Sequence, residues 1–297
     1  MKKIGNGQIT RNLPLAGVRA RWAVAPTGRR GTVSLPYTAC PIMNVSFYLY
    51  VMYRQYKPHP LLEPYIDAYW TVISATGSAA VGRILPDGCV DIICNLGDAA
   101  ISDAGTPQQQ WLHAEKAYLI GTMTRYSDSC QPGASRMIGI RFKPAAFNSF
   151  FRLPLQDMAD ECTEFGQELV PLLLRAGNDF IPVLDKYFLE HNTQASREML
   201  PIVDTIYRHR GCIRIGDLAR AHFLTPRQLE RQFLKHTGVS PKAFANIVRY
   251  QAVHRHIRTN PGSSLLQIAF DYGYYDHSHL TNDIRKYTGK APSQTQG

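Results

Sequence analysis

The stretch Leu218–Phe244, LARAHFLTPRQLERQFLKHTGVSPKAF, decides the fold of the C-terminal part of the chain, because it repeats. Its pattern recurs in Leu265–Pro292, LLQIAFDYGYYDHSHLTNDIRKYTGKAP. Key positions of the first copy recur fifty-one residues later: Leu229 as Leu280, Phe233 as Ile284, Lys235 as Lys286, Thr237-Gly238 as Thr288-Gly289, and Pro241 as Pro292. Such internal repetition indicates two copies of one supersecondary unit.

Each copy has the pattern of a helix, a tight turn and a second helix, which we call the recognition helix. In the first copy Thr225 is the predicted N-cap, Pro226 occupies the first helical position, and Gln228 completes a capping box. Leu229 and Phe233, four residues apart, predict the buried face. The second copy follows the same plan, with a box at Ser264 and Gln267, a cap at Asp276, and a buried face at Leu280 and Ile284. The glycine after each recognition helix predicts a left-handed C-cap, at Gly238 and Gly289.

A spacer helix is predicted between the copies. Ser240-Pro241 begins it, and it continues to about Arg258, before Asn260-Pro261-Gly262 ends it. Eighteen residues at about 1.5 Å each give roughly 27 Å. Because successive major-groove faces lie about 34 Å apart, two recognition helices on this spacer could enter adjacent grooves of one duplex.

The two repeated stretches resemble the C-terminal domain of AraC/XylS-type transcription regulators, over about residues 205–293. The resemblance implies an all-α tandem helix-turn-helix domain, which we place at 200–297. It also implies a sequence-specific transcription regulator, an activator or a repressor, with double-stranded DNA as its partner and RNA polymerase as a further candidate.

The outward side chains of the two recognition helices are the candidate base readers. In the first helix these are Arg227, Gln228, Glu230 and Arg231, and by resemblance Arg227, Glu230 and Arg231 occupy base-reading positions of the family. Arginine can bind guanine with two hydrogen bonds. In the second helix they are His277, Ser278, Thr281 and Asn282. Asn282 stands where many family members carry Arg, so this helix is expected to read sequence less strongly or to prefer A·T pairs. Contact with phosphate or solvent is the alternative for each.

The charge distribution supports a nucleic-acid partner. Residues 201–297 hold fourteen Lys and Arg against six Asp and Glu, whereas residues 51–200 hold twelve against seventeen. A basic block beside an acidic one is typical of a nucleic-acid module joined to another domain, although a solvated basic face is the plain alternative. The candidate phosphate contacts are Lys235, Lys242, Arg249, Lys286 and Lys290. Asp283 would repel phosphate, so we expect it to pair with a neighbouring arginine.

The middle of the chain has a different texture. Short segments rich in β-branched and aromatic residues, separated by turn signals such as Pro86-Asp87-Gly88, predict an antiparallel sandwich or barrel. The predicted strands are Ala68–Ala75, Val81–Leu85, Val90–Leu96, Tyr118–Gly121 and Met137–Phe142, and the predicted helices that follow are Ala145–Phe151, Phe165–Arg175, Phe180–His191 and Arg197–Arg210. The motifs LEPYIDAYW, LPDGCVDIICNLG and IRFKPAAF are similar to an N-terminal domain of some family members. The whole is thus multidomain, with an α+β sensor or dimerisation domain at 52–195.

Residues 1–51 are basic, rich in Gly, Pro and Arg, and without periodicity, so we interpret them as a disordered extension. The sensor domain is expected to bind a small-molecule effector or to form a homodimer. Asp87 and Asp91 could bind that effector or cap a turn. The sequence indicates no enzyme, no cofactor, no metal, no membrane contact and a cytoplasmic location. Two alternatives stay open: a DNA-repair cysteine methyl acceptor fused to a DNA reader, and a non-specific architectural DNA-binding protein.

Overall fold

A computed structural model describes residues 52–75, 78–193, 195–260 and 262–294. The extension predicted at 1–51 lies outside the described residues. The first part of the described chain is β-rich. Its strands are β1 Met52–Tyr56, β2 Ile66–Ser74, β3 Ser78–Ile84, β4 Val90–Asn95, β5 Ala100–Ser102, β6 Gln110–Leu112, β7 Lys116–Ile120, β8 Ser127–Gln131, β9 Ser135–Phe142 and β10 Cys162–Glu164.

The strands form two antiparallel sheets. The larger has the order β1-β2-β9-β4-β7-β10, and the smaller has the order β3-β8-β5-β6. Alternate residues of β2 face opposite sides of the larger sheet. Tyr69 packs toward a core that includes Leu173 and Phe188 of two following helices, whereas Trp70 and Val72 pack toward the smaller sheet. The middle domain therefore has three layers, and its sandwich was predicted by the sequence.

The helices are α1 Leu169–Ala176, α2 Phe180–His191, α3 Leu200–Arg208, α4 Ile215–Ala221, α5 Pro226–Thr237, α6 Pro241–Thr259, α7 Leu265–Asp271 and α8 His277–Thr288. The helix predicted at Ala145–Phe151 is wrong. Only a single 3-10 turn forms, at Phe147–Ser149, because the chain before it passes through the left-handed region at Ala145 (φ 65°). The prediction that α1 begins at Phe165 is also wrong, since Gly166 (φ 72°) places a left-handed residue there.

The two helix-turn-helix copies have separate cores. The first copy buries Leu218, Leu229 and Phe233, and the second buries Ile268, Leu280 and Ile284. Helix α6 is the predicted spacer, and both cores pack against it: Phe244 and Val248 belong to the first core, Val253 and Ile257 to the second. No helix in the described ranges combines the length and apolar character that a bilayer-spanning helix requires.

Candidate nucleic-acid interface and effector cavity

Both recognition helices, α5 and α8, begin and end as the sequence predicts. Thr225 accepts a hydrogen bond from Gln228 N, and the Gln228 side chain accepts one from Thr225 N, which completes the capping box. Asp276 Oδ1 accepts from His279 N at 2.7 Å. Gly238 (φ 79°) and Gly289 (φ 69°) end the two helices in the left-handed conformation.

One capping detail differs from the prediction. Ser264 accepts a hydrogen bond from Gln267 N, as expected of an N-cap. The Gln267 side chain does not return to the cap but donates to Asp271 Oδ1 at 2.8 Å, one turn further along α7. The predicted box of the second copy is therefore only half formed, because an acceptor four residues ahead competes for the amide.

The first recognition helix presents its candidate readers to solvent. Arg227, Glu230 and Arg231 are exposed on α5, and Leu229 between them is buried. Gln228 is exposed too, but its Oε1 already accepts from Thr225 N at 2.9 Å. Reading a base through that oxygen would disrupt the cap. Arg227, Glu230 and Arg231 are therefore the stronger candidates on this helix.

The second recognition helix presents a less basic surface. His277, Ser278 and Asn282 are exposed on α8. Thr281 is half-buried, and its hydroxyl donates to His277 O at 2.8 Å within the helix. Thr281 can therefore offer a methyl group more readily than a donor, and methyl contact with thymine is a recognised mode of base reading.

The candidate phosphate contacts divide into two groups. Lys235, Lys242, Lys286 and Lys290 are exposed. The prediction for Arg249 is wrong, because this side chain is buried against the second copy. Its Nη2 lies 3.2 Å from Asp283 Oδ2, and its guanidinium carbon lies 3.9 Å from the centre of the Tyr274 ring. The expectation that Asp283 pairs with an arginine is confirmed.

The middle domain contains a cavity between its two sheets, with a volume of about 100 Å³. Its walls are largely apolar, and Trp70, Val72 and Met137 contribute to them. Trp70 lies across from Gly139 on β9, where a methyl group would overlap the indole ring, so the glycine allows Trp70 its position. No local pattern in the sequence indicates this cavity, because its walls come from segments that are distant along the chain.

Three charged side chains form the polar end of the cavity. Arg141 Nε lies 3.3 Å from Asp91 Oδ1, and its Nη1 lies 3.4 Å from Asp87 Oδ2. Trp70 Nε1 donates to Asp91 Oδ1 at 2.7 Å. Burial raises the pKa of Asp91 above that of an ordinary carboxyl group, although Arg141 opposes the rise. Asp87 also accepts from Cys89 N, so it both caps its turn and lines the cavity.

The cysteine methyl-acceptor alternative requires an activated thiol, which means a lowered pKa. At three cysteines the pKa of the thiol is raised instead. Burial raises the pKa of the Cys89 thiol, and it raises the pKa of Cys94 and of Cys162 to about 12. These three thiols are therefore poor nucleophiles.

In comparison with known proteins, two separate segments of the chain match different family models. Residues 54–164 match a domain of unknown function (DUF6597), and residues 218–297 match a helix-turn-helix domain. The chain is 29% identical over 113 residues to the XylDLEGF operon transcriptional activator 2 of Pseudomonas putida, covering 37% of this chain and 69% of that protein. It is 32% identical over 77 residues to the HTH-type transcriptional activator RhaS of Pectobacterium carotovorum, covering 26% of this chain and only 27% of RhaS.

Two solved structures are also similar. ToxT from Vibrio cholerae with a bound unsaturated fatty acid aligns with a TM-score of 0.43 at 13% identity, over 77% of this chain and 94% of that chain. A probable AraC family transcriptional regulator from Rhodopseudomonas palustris aligns with a TM-score of 0.29 at 24% identity, over 32% of this chain and 94% of that chain. The sequence matches make residues 218–297 a helix-turn-helix domain, similar to segments of these two transcriptional activators.

Proposed function

We propose that this chain is a sequence-specific transcription regulator that binds operator DNA with both recognition helices and an effector in the middle domain. The observation that carries the proposal is the pair of capped helices α5 and α8, whose equivalent positions lie fifty-one residues apart in the sequence. Arg227 and Arg231 are exposed one turn apart on the first of them. An architectural protein that reads no sequence has no need of such a pattern.

The DNA-binding proposal is tested by selecting duplexes from a random library with the full-length chain. We expect one enriched motif with two elements about one helical turn, roughly 10 base pairs, apart. The matched variant replaces Arg227 and Arg231 by alanine, and it should lose preference at one element only. Binding without any enriched motif would favour the architectural alternative and contradict the proposal.

Stoichiometry and salt dependence give a second test on the selected operator. One chain carries two recognition helices, so we expect saturation at one chain per operator. Saturation at two chains would indicate the homodimer. The basic C-terminal part makes six or more phosphate contacts reasonable, so affinity should fall by about three orders of magnitude or more between about 50 and 200 mM salt.

The effector proposal rests on the cavity in the middle domain. Its largely apolar walls and its charged cluster of Asp87, Asp91 and Arg141 resemble the usual make-up of small-molecule sites. A compound screen by melting temperature should find ligands that stabilise the chain, by about 2.7 kcal/mol at a hundredfold excess over Kd. Ala100 is buried in the cavity wall, and Ala100→Leu would fill the space. A stabilisation that survives this substitution would place the ligand elsewhere.

The regulatory outcome is also part of the proposal. Activator names among the curated relatives support activation of transcription through contact with RNA polymerase in the cytoplasm. A reporter gene behind the selected operator should respond to the chain with increased expression. Decreased expression would instead indicate a repressor that uses the same DNA-binding surface.

A further inference from the structure

The last residues of the two recognition helices are held by the middle domain at equivalent positions. Thr122 Oγ1 donates a hydrogen bond to Thr237 O at 2.6 Å. Arg83 Nη1 donates one to Thr288 O at 3.0 Å. Thr237 and Thr288 occupy the same place in the fifty-one-residue repeat, whereas their two donors are unrelated in sequence. Two different side chains thus bind the same feature of two copies.

The chemistry of a helix end explains this contact. The last carbonyl groups of a helix have no partner within the helix, and the helix dipole makes that end negative. A hydroxyl donor and a guanidinium therefore suit these carbonyl oxygens. The Thr122 bond is buried. The Arg83 guanidinium is held in place within the middle domain. Its Nε and Nη2 donate to the Asp128 carboxylate at 2.7 Å, and the Arg83 Cζ lies 4.1 Å from the centre of the Tyr126 ring.

The left-handed caps next to these residues also fit tightly against the middle domain. A methyl group at Gly238 would lie 2.8 Å from Leu155 O, and a methyl group at Gly289 would lie 2.7 Å from Arg83 Nη1. Leu155 N further donates to Lys235 O at 2.9 Å. Both helix ends are therefore in close contact with the β-rich domain.

We propose that Thr122 and Arg83 are positioning residues that set the distance between the two DNA elements the chain can read. This rests on the proposed DNA-binding function. Each copy has its own hydrophobic core, and α6 and the turn after it connect the copies along the chain. Because the end of each recognition helix is bound to the same domain, the two helices can move less relative to each other than the connection through α6 alone would allow. A rigid pair of readers binds one spacing well and loses the second element at other spacings.

One positioning residue lines the proposed effector cavity, and the other lies between two residues that line it. Arg83 lines it directly, and Thr122 lies between Gly121 and Met123, which line it as well. The contacts that hold the helix ends and the walls of the cavity are therefore built from the same segments of the chain.

The test uses the full-length chain and the operator selected above, with the distance between its two elements changed by one or two base pairs. Wild type should lose about tenfold or more in affinity at a changed spacing. Thr122→Val with Arg83→Met should bind all spacings within about threefold of one another. Arg125→Met is the matched control, since Arg125 pairs with Asp103 in the middle domain, and it should keep the wild-type profile.

Thr122→Ser keeps the hydroxyl and should also keep the wild-type profile, whereas Thr122→Val alone should relax it in part. Both substitutions are close in size to threonine, so the test survives if the double variant does not fold. A wild-type profile in Thr122→Val and Arg83→Met overturns the proposal. If wild type selects no motif at all, the proposed DNA-binding function fails instead, and the two failures are distinguishable.

Discussion

The two helix-turn-helix copies have the same hydrogen bonds at the C-terminal end of the recognition helix but different surroundings. In each, the threonine before the C-cap glycine lies within hydrogen-bond distance of two carbonyl oxygens: Thr237 of Phe233 O and Val239 O, Thr288 of Ile284 O and Lys290 O. The first core also includes Ala145 of the middle domain and α3, whereas the second core consists of residues from α6 onward. Repetition of sequence therefore fixes local geometry and leaves the coupling to the rest of the molecule free to differ.

The two recognition surfaces differ in charge as well. The first copy exposes Arg227 and Arg231, and the second exposes His277 and Asn282 at its candidate reading positions. The first copy is thus embedded in the protein and, with Glu230 exposed beside the two arginines, moderately basic at these positions, whereas the second is more independent and nearly neutral there. We therefore expect the first copy to be more strongly coupled to the stability of the rest of the chain and to contribute more to its affinity for DNA.

The largest expected effect on the free energy of unfolding is at the junction of α6 with the second copy. Arg249→Met removes the partner of Asp283 and leaves a partly buried carboxylate without its cation. Loss of one partner of a buried ion pair costs about 3 kcal/mol or more in free energy of unfolding. Urea denaturation measures this loss. Lys242→Met on the same helix is exposed and should change the stability by less than about 0.5 kcal/mol. A loss below about 1 kcal/mol at Arg249 would mean that the second copy does not depend on this pair.

Acid should weaken the same junction. Burial and, to a smaller extent, the nearby Arg258 together lower the pKa of His254 to about 4. The folded state therefore takes up this proton less readily than the unfolded state, so stability is complete above pH 6.5 and declines as pH falls toward 4. The decline should be about 3 kcal/mol, at 1.36 kcal/mol per pKa unit.

The test of this pH dependence is denaturation between pH 7 and 4. His254→Gln should flatten the decline, although burial also lowers the pKa of His222 and His236, so a smaller slope remains. His254 follows Tyr250 by one turn of α6, and Tyr250 stacks on Tyr287 of the second copy. An unchanged slope in the variant would show that the titration of His254 is not coupled to folding.

The sequence predicted the repeat well because its signals are local. Caps such as Thr225 and Gly238 act within a few residues, and the apolar spacing of a helix is visible in one turn. Arg249 was misjudged because α6 is buried on nearly all sides, so position on the helix does not separate core from solvent. Strands β5, β6 and β10 have three residues each, too few for an alternating pattern. The contacts of Thr122 and Arg83 join residues more than one hundred positions apart, and no local pattern records them.

Substitutions of the candidate base readers should have smaller effects, and these effects should differ between the two copies. Arg231→Ala should lower affinity for the selected operator by about 1–3 kcal/mol and leave affinity for random duplexes nearly unchanged. Asn282→Ala in the second copy should cost less, because it removes no charge. Titration of both variants on both duplexes measures the difference. Equal losses of Arg231→Ala on operator and random DNA would make Arg231 a phosphate contact.

The smallest effect concerns the turn of each copy, where the chain needs a left-handed residue. Gly273 (φ 68°) supplies it in the second copy, and Phe223 (φ 56°) stands fifty residues earlier in the first. A side chain in this conformation costs about 1–2 kcal/mol, and the Phe223 ring is 97% exposed, so burial does not offset that cost.

Phe223→Gly relieves this strain but also gives the unfolded chain more freedom, which costs about 0.5–1 kcal/mol. The net expectation is a gain of about 0.5 kcal/mol in free energy of unfolding. Gly273→Ala should do the reverse and lose about 1 kcal/mol, because it adds strain where space is not limiting: the new methyl group would lie 3.9 Å from Cys212 Sγ. Phe223→Asn is the control, since asparagine tolerates the left-handed conformation and gives the unfolded chain less conformational freedom than glycine does. Urea denaturation of the three variants gives the signs. A loss of stability in both Phe223 variants would show that the exposed ring stabilises the first copy, and that the two turns are not equivalent despite their matching backbone.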